Sequence, residues 1–137
     1  MSEASSAIPV GVYPYLSVTG GTDAVAFYEK AFGAKQEFCN MADDGKRIMH
    51  TRLRINGQAI LLSDNFPEYQ GGGAVPAPAG VTIHLEVEDA DMWWDRAVKA
   101  GATITMPLAD QFWGDRYGQL KDPFGHAWSI GAPVAAK

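Results

Sequence analysis

The stretch Trp113–Trp128, WGDRYGQLKDPFGHAW, decides how the rest of the chain is read. Within it, Asp122-Pro123-Phe124-Gly125 has Asp first, Pro second and Gly fourth, the preferences of a type I turn. Residues 116–121 and 126–131 flank that turn and read as strands of a hairpin. Working outward, Gly101-Ala102 ends a helical segment, and Gly125 follows Gly101 by 24 residues. The same interval occurs earlier, where Gly33-Ala34 ends a helical segment and Gly57 of Asn56-Gly57 follows 24 residues later. The copies are offset by 68, and Ser17-Val18 matches Glu86-Val87 at 69, one extra residue near Gly20-Gly21 absorbing the difference. An internal duplication accounts for both copies.

The first copy reads as βαβββ. Tyr13–Val18 is a strand, Thr22 or Asp23 caps a helix running to Phe32, and Phe27, Tyr28, Ala31 and Phe32 form its apolar face. Strands follow at 35–41, 47–55 and 58–64, turning at Asp43-Asp44-Gly45 and at the hairpin signal Asn56-Gly57. Residues 65–80, with Gly71-Gly72-Gly73, Pro76 and Pro78, have the composition of a flexible connection. The second copy has a strand from Val81 to Val87, then a helix capped by Asp89 or Asp91 that contains Trp93 and Trp94 and ends at Gly101, then strands near 103–106, 116–121 and 126–131.

At 137 residues the chain suits one domain and is too short for two independent ones, so the copies are expected to share a core. The expected plan is an arm at 1–10, a single domain over 11–132 built from repeats 11–64 and 81–132 joined by 65–80, and a tail at 133–137. Apolar residues at 47% and charged residues at 20% are the balance of a folded chain. A net charge of −5 argues against nucleic-acid binding, and no apolar run is long enough to span a membrane. A lone cysteine, Cys39, excludes an internal disulfide and reads as a buried structural thiol. With no signal-peptide pattern at the start, the expected location is cytoplasmic.

Alternation assigns faces. Leu16, Val18, Met49, Leu53, Ile55, Ile60 and Leu62 should pack on the first helix, and Val81, Ile83, Leu85, Val87, Trp128 and Ile130 on the second. The opposite parity carries Tyr13, Tyr15, Ser17, His50, Arg52, Leu61 and Ser63, then Thr82, His84, Glu86, Arg116, Leu120 and Ser129. That mixture of aromatic, polar and basic groups suits a small-molecule cavity, although an antiparallel sheet also turns such a face to water.

His84 is the candidate catalytic acid or base because imidazole titrates near neutral pH; the plainer role is a hydrogen bond to a tyrosine or to Glu86. Arg52 and Arg116 suggest an anionic ligand, the plainer role being a salt bridge of Arg116 with Asp115 or Asp122. Trp113 can form a wall or lid, Tyr13 and Tyr15 can orient a ligand, and His126 reads as a packing or capping group. Gly71–Gly73 lacks the GK[ST] of a phosphate loop, and Ser63 lacks a nucleophile elbow.

FYEKAFG (Phe27–Gly33) and the Trp113–Trp128 stretch resemble the vicinal oxygen chelate superfamily, which includes glyoxalase I, extradiol dioxygenases and fosfomycin and bleomycin resistance proteins. Within it the chain is similar to the PhnB-like, glyoxalase-related group, over residues 11–132. The resemblance implies an α+β fold in which two βαβββ units form open concave sheets, and a homodimer that completes two cavities. It places metal ligands on the first and last strand of each unit, positions that here fall on Tyr13, Leu61, Thr82 and Ser129. These are wrong for zinc, nickel or iron, so no metal and no other cofactor is expected. The expected function is metal-independent binding of a small anionic or aromatic molecule, of the sequestration or resistance type, by Tyr13, Tyr15, His50, Arg52, Leu61, Ser63, Thr82, His84, Trp113, Arg116 and Ser129. The alternative is a lyase or isomerase using His84, without metal or with a displaced site at His84, Glu86 and His50; the residues leave open whether the protein is an enzyme.

Overall fold

A computed structural model describes residues 8–134, so 1–7 of the expected arm and 135–137 of the expected tail lie outside the described residues. The elements run β1 (Tyr15–Val18), α1 (Gly21–Phe32), β2 (Lys35–Met41), β3 (Ile48–Ile55), β4 (Gln58–Asp64), β5 (Thr82–Glu86), α2 (Ala90–Ala100), β6 (Thr103–Asp110), β7 (Asp115–Lys121) and β8 (Ala127–Pro133). They form two four-stranded sheets of the same order, β1-β4-β3-β2 and β5-β8-β7-β6. In each, the first strand runs parallel to the last and the remaining pairs are antiparallel. A helix makes the crossover that a parallel pair requires. The sequence duplication is thus a duplication of topology, and the expected α+β class holds.

Among the described residues the chain divides into two compact units, one of 8–29 with Gly33–Pro76, the other of Lys30–Phe32 with 77–134. In the first unit Leu16, Val18, Leu53, Ile55, Ile60 and Leu62 are buried on the face toward α1, together with Thr51. Met49 does not join them and is 46% exposed. Asn40 pairs with His50 and Met41 with Ile48, so Met49 is the extra residue of a β-bulge and Ile48 takes the inward place. Glu37 is a second such residue, skipped between the Gln36–Leu53 and Phe38–Arg52 pairs.

The start of α1 departs from expectation, because neither Thr22 nor Asp23 caps it and no side chain of the N-cap residue Gly20 can. The buried Asp64, at the end of β4, does so from a distance. Its Oδ1 accepts the N–H groups of Gly20 and Gly21 at 2.9 Å each, and its Oδ2 accepts that of Ile48 at 2.7 Å. A Cβ on Gly21 would lie 2.5 Å from Asp64 Oδ2, so only glycine admits this clamp. The helix stops where the sequence said: Gly33 is left-handed at φ 67°, and its N–H and that of Ala34 return to the carbonyls of Glu29 and Tyr28. The connection after β4 is tied down at its beginning. Pro67–Tyr69 forms a 3₁₀ turn, Arg47 grips Glu68 with two hydrogen bonds of 3.0 and 2.7 Å, and the Arg47 guanidinium lies 4.3 Å over the Phe66 ring.

In the second unit Asp89 caps α2 locally, accepting the Met92 N–H at 3.1 Å. Trp94 and Ala97 of α2 are buried, as are Leu85, Val87, Leu120, Trp128 and Ile130. Val81 precedes β5 and is 73% exposed, while β6 runs four residues beyond the expected 106, to Asp110, and β8 continues through Pro133 into the expected tail. The Asp122–Gly125 turn closes with Gly125 N–H donating to the Asp122 carbonyl at 3.1 Å. The Asp122 carboxylate accepts the N–H groups of Phe124 and His126 and, at 2.8 Å, the indole N–H of Trp128. Counted back from this turn, Leu120 pairs with Trp128, Gly118 with Ile130 and Arg116 with Ala132. Directly paired residues share a face, so Arg116 and Leu120 lie on the helix side and not on the concave side where alternation alone had put them.

Candidate functional site

The concave face of the first sheet is built in rungs. Tyr15, Leu61, Arg52 and Phe38 form one across all four strands. In the next, Ser17 pairs with Ser63 and His50 with Asn40. The Tyr15 hydroxyl and His50 Nδ1 are 2.8 Å apart, and the Phe38 ring meets the His50 ring edge-on at 5.6 Å. Burial, and secondarily the positive charge of Arg52, hold the His50 pKa below its ordinary 6.5, so the imidazole is neutral.

Arg52 is buried on this face and donates from Nε to Glu37 Oε1 at 3.0 Å. Arg54, on the same side of the strand, donates to both oxygens of the same carboxylate, at 2.8 and 3.1 Å. The bulge at Glu37 turns that side chain onto the concave side, where these hydrogen bonds, Arg54's first, lower its pKa. One carboxylate thus serves two guanidinium groups.

The second sheet carries different chemistry on the corresponding rungs. His84, Ser129, Gln119 and Met106 form one, and Glu86, Gly131, Tyr117 and Ala109 the next. His84 Nδ1 lies 2.8 Å from Ser129 Oγ and His84 Nε2 lies 2.8 Å from Glu86 Oε1. With the Glu86 carboxylate able only to accept, Nε2 carries the hydrogen and Nδ1 accepts from the Ser129 hydroxyl. Tyr117 stacks on His84 at 5.9 Å and accepts a hydrogen bond from the Gln119 amide at 3.0 Å, while Trp113 packs edge-on against Tyr117 at 5.7 Å. A Cβ at position 131 would lie 2.9 Å from His84 Cε1, so Gly131 makes the room for the ring.

The other expected site residues are placed as follows. Tyr13 lies ahead of β1 and donates its hydroxyl to the Pro9 carbonyl at 2.7 Å. Ser63 donates to the Asp64 carbonyl, Thr82 is exposed opposite Ala127, and Trp113 is 48% exposed. Arg116 leaves the set. It binds Asp91 and Asp110 and lines a hollow of about 610 Å³ with Glu88 and Asp89, where acids outnumber it and an anion would be repelled. The anticipated partners Asp115 and Asp122 are not the ones it takes. Cys39 is exposed rather than buried, on the outer strand β2.

The residues missed were Phe38, Glu37, Tyr117 and Gln119. For the last two a signal existed, since pairing across the Asp122–Gly125 turn sets Gln119 opposite Ser129. Glu37 reaches its place through a bulge that leaves no mark in the alternation.

The positions that the resemblance gives to metal ligands do not fit a divalent transition metal. Leu61 has no donor atom, the Ser129 hydroxyl is held by His84, and the Tyr13 hydroxyl by Pro9. Of the displaced set, His84 and Glu86 are hydrogen-bonded to each other on the second unit at 2.8 Å, and His50 is hydrogen-bonded to Tyr15 on the first, also at 2.8 Å.

A family model described as Glyoxalase/Bleomycin resistance protein/Dioxygenase superfamily matches residues 15–130. Uncharacterized protein Rv0887c of Mycobacterium tuberculosis is 47% identical over 125 residues, covering 88% of this chain and 73% of that one. Among solved structures, protein PA1353 from Pseudomonas aeruginosa superposes with TM-score 0.73 at 29% identity, covering 91% of this chain and 98% of its own. TioX from Micromonospora sp. ML1 gives 0.69 at 26% identity, covering 93% and 98%.

Proposed function

Because the chain belongs to the Glyoxalase/Bleomycin resistance protein/Dioxygenase superfamily, we propose that it is a PhnB-like member that binds a small anionic or aromatic molecule on its concave sheets without a divalent metal. Sequestration is the role such binding would serve. The observation that carries this reading is the mutual ordering of the aromatic and polar side chains on the concave faces, together with the poor donors Tyr13, Leu61, Thr82 and Ser129 at the positions that the resemblance gives to metal ligands. The test is native mass spectrometry with elemental analysis of protein purified without a His-tag. An organic adduct without stoichiometric metal is expected; stoichiometric zinc, nickel or manganese lost on Thr82→Ala would overturn the reading.

The proposal extends to a cytoplasmic homodimer. An exposed free thiol at Cys39 suits a reducing compartment, and no helix among the described residues is long and apolar enough to cross a membrane. Open sheet faces give a second copy something to cover. Light scattering at high micromolar concentration should give twice the chain mass; a strict monomer would remove the dimer.

A second reading rests on His84, whose two nitrogens are held by Glu86 and Ser129 in the manner of an oriented acid–base group. It makes the protein a metal-independent lyase or isomerase. Solvent deuterium entering a bound carbonyl compound with wild type but not with His84→Gln would favour it over sequestration.

A further inference from the structure

We propose that Arg52 is the anchor for a carboxylate, so that the ligand of the first sheet is a monoanionic aryl or alkyl carboxylate lying on the Phe38–Leu61–Tyr15 side of the face. This deepens the small-molecule reading above and rests on it.

Charge is the first argument. Arg52 and Arg54 share the single carboxylate of Glu37, which leaves one positive charge in excess. Arginine does not shed its proton, so the excess is permanent. A guanidinium side chain only 6% accessible is costly to leave partly paired, and a further anion would relieve that cost.

Geometry is the second. Nε is the one Arg52 nitrogen with a partner among the described residues, so Nη1 and Nη2 keep their donors. No side-chain nitrogen or oxygen among the described residues is both sealed from solvent and unbonded, so these nitrogens remain reachable despite the burial. A planar pair of donors matches the two oxygens of a carboxylate. Beside them, His50 has Nδ1 engaged by Tyr15, and its Nε2 is the nitrogen left for a ligand.

The surroundings are the third argument. Arg52 is flanked on its rung by Phe38 and Leu61, with Tyr15 beyond, so the donors rise from an aromatic and aliphatic floor. Such a floor suits a ligand with an apolar body and disfavours a small hydrated dianion.

The experiment is a titration of uniformly ¹⁵N-labelled full-length protein with phenylacetate and, separately, with phenylacetamide, its neutral isostere, followed by amide chemical shifts. Phenylacetate should bind at millimolar concentration or below with shifts centred on β2–β4, and phenylacetamide at least about tenfold more weakly. Arg52→Gln should lose about tenfold for phenylacetate and nothing for phenylacetamide. Because Arg52→Gln could disturb the fold, Glu37→Gln is the companion: it removes the competing carboxylate and should tighten phenylacetate binding, which a purely structural ion pair would not do. Equal affinity for the two probes would sink the carboxylate anchor while leaving small-molecule binding intact. Phenylacetate bound only on β5–β8, or not at all, would likewise overturn the anchor.

Discussion

The two sheets have the same strand order, and the first strand of each sets a ring against one on the third, yet the rings are exchanged. In the first unit the tyrosine, Tyr15, stands on the opening strand and the histidine, His50, on β3; in the second, His84 stands on the opening strand and Tyr117 on β7. The neighbours change with them. Arg52 of the first unit corresponds by register to Gln119 of the second, and the bulged Glu37 corresponds to Thr105, which is skipped at the same rung of β6. One scaffold therefore carries a cationic face and a face with a Glu–His–Ser chain. Duplication fixes the places of side chains, and divergence decides their chemistry. The helix starts diverge too, α1 being capped by the distant Asp64 and α2 by its own Asp89.

The largest expected effect separates those two caps. Asp64→Ala removes three hydrogen bonds to a buried carboxylate and should cost about 3–5 kcal/mol, whereas Asp89→Ala removes one exposed cap and should cost about 1 kcal/mol. Urea unfolding would check both, and equal losses would mean that the Asp64 clamp is not a tertiary device.

Next comes the packing difference. The place held by Thr51 in the first unit is held by Gly118 in the second, where a Cβ would lie 2.6 Å from the Trp94 ring and 2.9 Å from the Leu108 backbone. Gly118→Ala should therefore cost about 2 kcal/mol by overpacking, and Thr51→Ser well under that. The double variant Gly118→Ala with Trp94→Phe should recover part of the loss, which thermal melts can read.

The smallest effect is electrostatic. The folded-state pKa of His50 lies below its unfolded value near 6.5, so the folded protein binds fewer protons than the unfolded one just below that pH. Stability from this group is full above 6.5 and is lost as pH falls through the lower, folded value. Melting temperatures from pH 7.5 down to 5 should show that decline in wild type and a flatter curve in His50→Gln; parallel curves would mean that burial and Arg52 do not act on His50 as described.

Topology was legible because its signals are local. Asn56-Gly57 and Asp122–Gly125 fixed two hairpins, and Gly33 and Gly101 fixed the helix ends. The concave face of the first unit could be read from alternation because β3 alternates Arg52 and Arg54 with Leu53 and Ile55, and Ile60 pairs with Leu53. In the second unit Arg116 and Leu120 lie on one parity but differ in character, and taking both for the cavity reversed β7; pairing Leu120 across the turn with Trp128 would have corrected it. Glu37, Asp64 and Met49 were beyond reach, since their places depend on bulges and on contacts across the sequence.

The central claim is that this fold binds its ligand with side chains alone. Calorimetric titration with phenylacetate tests it most directly, run in chelator and again after adding zinc, nickel or manganese. The account predicts one affinity, unchanged within about twofold, in all conditions. Binding that appears only with metal, and disappears with His84→Ala, would contradict it.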